Sequence, residues 1–182
     1  QGKTLQVKIR FKGVQRLARP DKDRRTTILV AAKRVFVRDG PAVFSARRVA
    51  NEVGMSLGNL QYFFPRKDDL LGGMVEHVLR EFEDDYAAFL RGSRLDPTEQ
   101  LVIRLERHVQ DLFNQDSRKL FLGLYSLACY DEFAESVIDQ MYVQLRKILV
   151  VHIRAVRPSL PLTRSAEIAT HITALMEGLQ VF

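Results

Sequence analysis

Gly54 constrains the folding of this chain more than any other residue, because serines able to cap helices stand on both sides of it, Ser45 before and Ser56 after. Ser45 starts a short helix over residues 46–53 with Val49 and Val53 facing inward, and the glycine supplies the left-handed residue that commonly ends a helix. Ser56 then caps a second short helix. Upstream, from about Lys22 to Arg38, the apolar residues Ile28, Ala32, Val35 and Phe36 recur at helical spacing, and Gly40 and Pro41 end that segment. A longer helix followed by two short ones across a three-residue glycine turn is the layout of a helix-turn-helix DNA reader.

The stretch GMSLGNLQYFFPRKDDLL, Gly54 to Leu71, has too few apolar residues at core spacing to be only a core helix. In a helix starting near Ser56, Leu60 and Phe63 or Phe64 pack inward, which leaves Leu57, Asn59, Gln61 and Tyr62 near the exposed N-terminal side. Asparagine and glutamine carry a donor and an acceptor side by side and can pair with adenine, whereas a leucine can touch a thymine methyl. Leu57, Asn59 and Gln61 are therefore the candidate base readers. Ser45, Arg47, Arg48, Tyr62 and Lys67 carry hydroxyls or cations suited to phosphate oxygens, which position a protein without reading sequence. Taken singly, each has an ordinary structural explanation, such as a solvated helix face for the arginines or packing for the tyrosine. Within one motif on a basic segment they point together to DNA.

Charge supports this division. Residues 1–67 hold 16 Lys/Arg and 4 Asp/Glu, a net +12, whereas residues 68–182 hold 12 and 18, a net −6. A basic tail that only aids solubility accounts for the +7 of residues 1–25 but not for the further +5 of residues 26–67, which lie among helix signals.

With those residues identified, the segment from Arg25 to about Val75 resembles the DNA-binding head of the tetracycline-repressor (TetR) family of bacterial transcription regulators. The resemblance rests on FSARRVANEVGMSLGNLQYFFPRKDDLL, in which Ser45, Val49, Ala50, Gly54, Ser56, Gly58, Leu60, Phe64, Lys67 and Leu70 fall in register with the family pattern. The chain departs from it at Gln61, where many members have tyrosine, and at Phe63, where tyrosine or histidine is usual. The resemblance implies a dimeric one-component regulator, a repressor by preference, that binds palindromic operator DNA and binds a small-molecule effector within its helical body.

That body reads as a bundle. A long helix from Lys67 to about Arg91 carries Leu71, Met74, Val75, Val78, Phe82, Tyr86 and Phe89 on one face. DPTEQ places Asp96 as a cap, Pro97 in the first turn and Glu99 three residues after the cap, opening a helix to about Gln115. KLFLGLYSLACY, apolar on nearly every side, reads as a central helix with Cys129 in the core. A break near Asp131 precedes an amphipathic helix through about Val156, and Pro158 and Pro161 separate it from a last helix starting near Thr163. The expected fold is all-α: a basic extension (1–21), a helix-turn-helix head (22–67) and an effector-binding and dimerisation bundle (68–182). In the extension Leu5, Val7, Ile9 and Phe11 alternate as in a strand, without a partner strand elsewhere.

Phe82, Tyr86, Phe89, Phe113, Phe121, Leu124 and Tyr125 are candidates to line an effector cavity, or equally to fill a core, with Arg104 and His108 as its polar groups. For dimerisation the last two helices offer Val137, Met141, Leu145, Ile148 and Ile153, then Ala169, Ile172, Met176 and Leu179. No catalytic signature is present: the four histidines are scattered, a lone cysteine cannot pair within the chain, and neither a phosphate-cradling glycine loop nor G-x-S-x-G occurs. No catalytic residue, metal site or cofactor is expected. No run is long and apolar enough for a membrane span, so a cytoplasmic protein is expected. The rival reading is a helical interaction or membrane-surface protein whose basic N-terminus meets acidic lipid.

Overall fold

The computed structural model describes residues 19–179, with side chains from residue 23. The strand-like alternation of residues 5–11 lies outside the described residues. Eight α-helices account for most of the rest: α1 (Arg19–Asp39), α2 (Ala46–Glu52), α3 (Leu57–Phe63), α4 (Lys67–Leu90), α5 (Pro97–Phe113), α6 (Gln115–Ala128), α7 (Glu132–Val156) and α8 (Leu162–Gly178). The order and kind of these elements are those expected from periodicity and capping. Gly40, at φ 86°, ends α1, and Pro41 opens a single 3₁₀ turn, Pro41–Val43, before α2.

Local chemistry sets most of the boundaries. Asp96 accepts from the backbone N–H of Thr98 and Glu99 while the Glu99 carboxylate accepts from the N–H of Asp96, a complete capping box. The Asp131 carboxylate caps α7 through the N–H of Ala134 at 2.9 Å. Asn114 divides what reads as one helix to about Gln115 from the next. It leaves helical geometry, and its side-chain oxygen accepts from the N–H of Asp116 and Ser117, so α6 starts at once.

The reading of KLFLGLYSLACY as an all-round buried helix is corrected. Leu120, Phe121 and Leu124 are buried, but Leu122 is exposed, as is Cys129. The reason is that α6 ends at Ala128, so Cys129 and Tyr130 lie past its last turn on the way to Asp131. The cysteine thiol donates only to the Tyr125 carbonyl at 3.3 Å.

The chain divides into two compact units. One contains the described residues up to Glu81 together with 119–139, and the other contains 82–118 and 140 onward, so α4 and α7 each contribute to both. The core of the first unit is built from Ile28, Val35 and Phe36 of α1, Val49, Leu60, Phe64, Leu70 and Met74, with Leu120 and Leu124 of α6. Contact there is close enough to demand glycine. A Cβ at Gly123 would lie 2.9 Å from the Phe36 ring and 3.5 Å from Pro41. In the second unit Leu149 and Ile153 of α7 and Ala169 of α8 form a core against which Leu101, Leu105, Leu145 and Ile172 pack.

Candidate nucleic-acid interface

The turn between α2 and α3 is fixed at both ends by backbone chemistry. Val53 is the C-cap of α2, and Gly54 follows at φ 67°. The N–H of Met55 reaches the carbonyl of Ala50 at 3.0 Å and that of Gly54 reaches Asn51 at 3.2 Å. This is the Schellman arrangement, which satisfies the last carbonyls of α2 and which a side chain with Cβ would strain. The serines do what their positions suggest: Ser45 Oγ accepts from the N–H of Arg48 at 3.4 Å, and Ser56 Oγ from that of Asn59 at 3.2 Å.

These constraints leave α3 with one buried and one open side. Leu60 and Phe63 are buried, as is Phe64 just beyond the helix. Gly58, Asn59, Gln61 and Tyr62 are exposed, and Leu57 is half-buried. Tyr62, 71% exposed, meets Phe63 only edge-on, with ring centroids 5.2 Å apart. At about 100° per residue, Gly58 and Tyr62 lie in the middle of the open side, with Leu57 and Gln61 on one flank and Asn59 on the other. No local pattern marks Arg25 as the residue that holds this helix in place. Its guanidinium, on α1, donates to the terminal carbonyl of α3 at Phe63, 3.1 Å away, and sits over the Phe64 ring at 4.2 Å.

The cations of the same segment differ in how far they are paired. Arg47 and Lys67 are exposed and form no ion pair among the described residues. Arg48 is tied to Asp39, with Nη1 to Oδ2 at 3.3 Å. Arg38 also holds Asp39, through Nε to Oδ1 at 2.8 Å and Nη2 to Oδ2 at 3.1 Å, and reaches Glu52 at 3.0 Å. Arg34 takes the other oxygen of Glu52 at 3.2 Å. The Arg38 guanidinium lowers the pKa of both carboxyl groups, so Asp39 and Glu52 remain charged well into acid. Arg66 is engaged by Asp69 at the start of α4, and Lys33 by Glu81.

The candidate effector residues fall in both units. In the second unit Tyr86 is buried and donates to the Gln100 carbonyl at 2.7 Å, Phe82 is half-buried, and Phe89 and Phe113 are exposed. Each nitrogen of the Arg104 guanidinium is engaged within the protein. It makes two bonds to Glu83, at 2.7 and 2.9 Å, donates through Nε to His152 at 3.0 Å, and lies over the Tyr86 ring at 3.8 Å. Glu83 and His152, 21 and 48 residues from Arg104, carry no sequence signal that links them to it. Burial, assisted by Arg104, pushes the pKa of both His108 and His152 down to about 4. The buried Nε2 of His108 has no hydrogen-bond partner among the described residues. In the first unit Phe121 and Leu124 are buried and Tyr125 is half-buried.

Of the residues considered for dimerisation, Val137, Met141, Ile148, Ile153, Ala169 and Met176 are buried within the protomer. Leu145 and Ile172 are half-buried, and Leu179 is exposed. Beside them on α8 stands Leu175, 73% exposed.

Comparison with known proteins bears on the same segments. Residues 28–74 match the model of the bacterial regulatory proteins, tetR family. Over 129 residues the chain is 28% identical to the HTH-type transcriptional regulator PksA of Bacillus subtilis (strain 168), covering 59% of this chain and 63% of that protein. It is 27% identical over 160 residues to the HTH-type transcriptional regulator BetI of Rhizobium meliloti (strain 1021), covering 87% and 76%. Among solved structures, a transcriptional regulator from Saccharomonospora viridis in complex with choline superposes with a TM-score of 0.65 at 23% identity, covering 88% of this chain and 84% of that one.

Proposed function

This chain is a transcriptional regulator of the tetR family, with the family's DNA-binding head at residues 28–74, and from that premise we propose that it works in the cytoplasm as a homodimer that represses from a palindromic operator. The observation that carries the assignment of α3 as the reading helix is its divided surface. The apolar side is buried, both ends are fixed by Ser56 and Arg25, and amide side chains occupy the open side. A helix held this firmly offers Asn59 and Gln61 to base edges at little further ordering cost, with Leu57 beside them. Arg47, Lys67, Ser45 and Tyr62 take backbone phosphates, and Arg48 joins them once it leaves Asp39.

Dimerisation follows from half-site geometry, since one head reads one half-site. The face proposed for the second copy is the exposed part of α8 at Leu175 and Leu179, with the core behind it supplied by Met176 and Ala169. For the effector, Arg104 acts by shaping the site, because each of its nitrogens already donates to Glu83 or His152, and the unpartnered Nε2 of His108 is the polar atom to meet a ligand. Such a ligand shifts DNA affinity only by its differential affinity for the two states of the protein. Choline, held by the Saccharomonospora viridis regulator, is the first compound to test.

The experiment is a selection of bound genomic fragments followed by titration of the recovered site. Asn59→Ala and Gln61→Ala should each cost about 1–3 kcal/mol on the recovered site and relax preference at particular bases. Arg47→Ala and Lys67→Ala should weaken all sequences alike and reduce the salt slope by about one each. A uniform loss in both groups would refute the division of roles, and one copy bound per recovered site would refute the dimer.

A further inference from the structure

Residues 26–67 contain seven Lys/Arg and only two acids, Asp39 and Glu52. Both acids are placed between arginines, and every one of their four carboxylate oxygens accepts from a guanidinium of Arg34, Arg38 or Arg48. Burial within this lattice is uneven. The Asp39 and Glu52 side chains are each 17% exposed, whereas those of Arg34, Arg38 and Arg48 are 61%, 54% and 52% exposed. The cations therefore face solvent while their counter-charges sit beneath them. Arg48 lies one residue from the free Arg47, in the first turn of α2, the helix that precedes α3 in the chain.

We propose that Asp39 and Glu52 are specificity-determining residues of the head: they hold Arg34, Arg38 and Arg48 on internal carboxylates when the protein meets non-cognate DNA, and exchange them for phosphates at the operator. The inference rests on the DNA-reading assignment above. A carboxylate offers a guanidinium the same planar pair of acceptors that a phosphate does. Exposed pairs of this kind contribute little to stability, so the exchange has a small cost when a phosphate is correctly placed. Non-specific affinity is supplied almost wholly by counterion release and so counts the cations free to reach phosphates. With the lattice closed, Arg47 and Lys67 are the free cations of this segment among the described residues. A protein that must leave countless wrong sites gains discrimination by weakening that term, as specificity depends on the difference between the two affinities.

The test uses the full chain with Asp39→Asn and Glu52→Gln, titrated onto the recovered site and onto a scrambled duplex of equal length. On scrambled DNA each variant should bind more tightly than wild type, with a salt slope steeper by about one. The variant-to-wild-type affinity ratio should then fall about 3.5-fold between about 50 and 200 mM salt. The ratio of operator to scrambled affinity should drop. Weaker binding to both duplexes with an unchanged or shallower slope would overturn the proposal, since it would mean that the acids only position the arginines. If either variant melts well below wild type, Arg48→Gln supplies the reading: it should lose more on the operator than on scrambled DNA, and an equal loss on both overturns the proposal. A wild type without sequence preference would instead defeat the DNA-reading assignment itself.

Discussion

A methyl group added at Gly58 would meet nothing within 4 Å, and the backbone there is not left-handed. The fold therefore has no need of glycine at the centre of the open side of α3, and a glycine within a helix is less favourable than alanine by up to about 1 kcal/mol. Gly54 is the opposite case, because its φ of 67° closes the turn. Gly58→Ala should raise stability in urea by about 0.5–1 kcal/mol and at the same time weaken the operator complex, the mark of a residue kept small for a partner. Operator affinity equal to wild type would mean that no phosphate or base approaches that face closely. At this scale the sequence is a good guide to which residues are exposed on α3 and a poor guide to their partners. Arg48 and Arg47 are indistinguishable as neighbours in a basic helix. Only the fold brings Asp39 under one of them.

Elements show why some features are legible and others are not. Caps are local: Ser45, Ser56, Asp96 and Asp131 act within three residues of themselves, so their roles follow from spacing. The bonds that fasten helices to one another join residues far apart in the chain, as Arg25 does to the end of α3 and Arg104 to α4 and α7. Nothing periodic announces them. The Arg104 cluster also makes a pH prediction. His108 and His152 have their pKa lowered from 6.5 to about 4 by burial and by the nearby guanidinium. Below pH about 6.5 the unfolded chain binds protons that the folded histidines refuse, so their contribution is present above that pH and is lost progressively towards pH 4. Urea midpoints measured between pH 7 and pH 4.5 should fall, and His152→Gln should flatten that fall even if it lowers stability at pH 7. An unchanged pH dependence in the variant would show that His152 carries none of it. Removing Arg104 is harsher, since Arg104→Met leaves Glu83 without its bidentate partner, and a broken buried pair costs about 3–5 kcal/mol.

For the whole molecule, the compact unit that holds α3 does not coincide with residues 28–74, the segment that matches the family. Residues 119–139 belong to it, and they bring Leu120, Phe121 and Leu124 into its core. Each such side chain adds about 1.5–3 kcal/mol on burial, against a total stability of about 5–15 kcal/mol for a domain. A fragment ending at residue 81 should therefore unfold without a sharp transition, as followed by circular dichroism in urea, whereas cooperative unfolding would show the head to be self-sufficient. The contact between Gly123 and the Phe36 ring gives this a practical form. Regulators are often imagined as cassettes, in which a reader from one parent can be spliced to a sensor from another. Here the seam of any such chimera would have to follow the ring of Phe36 into α6, and a donor with alanine or a larger residue opposite that ring would displace the reader it was meant to carry.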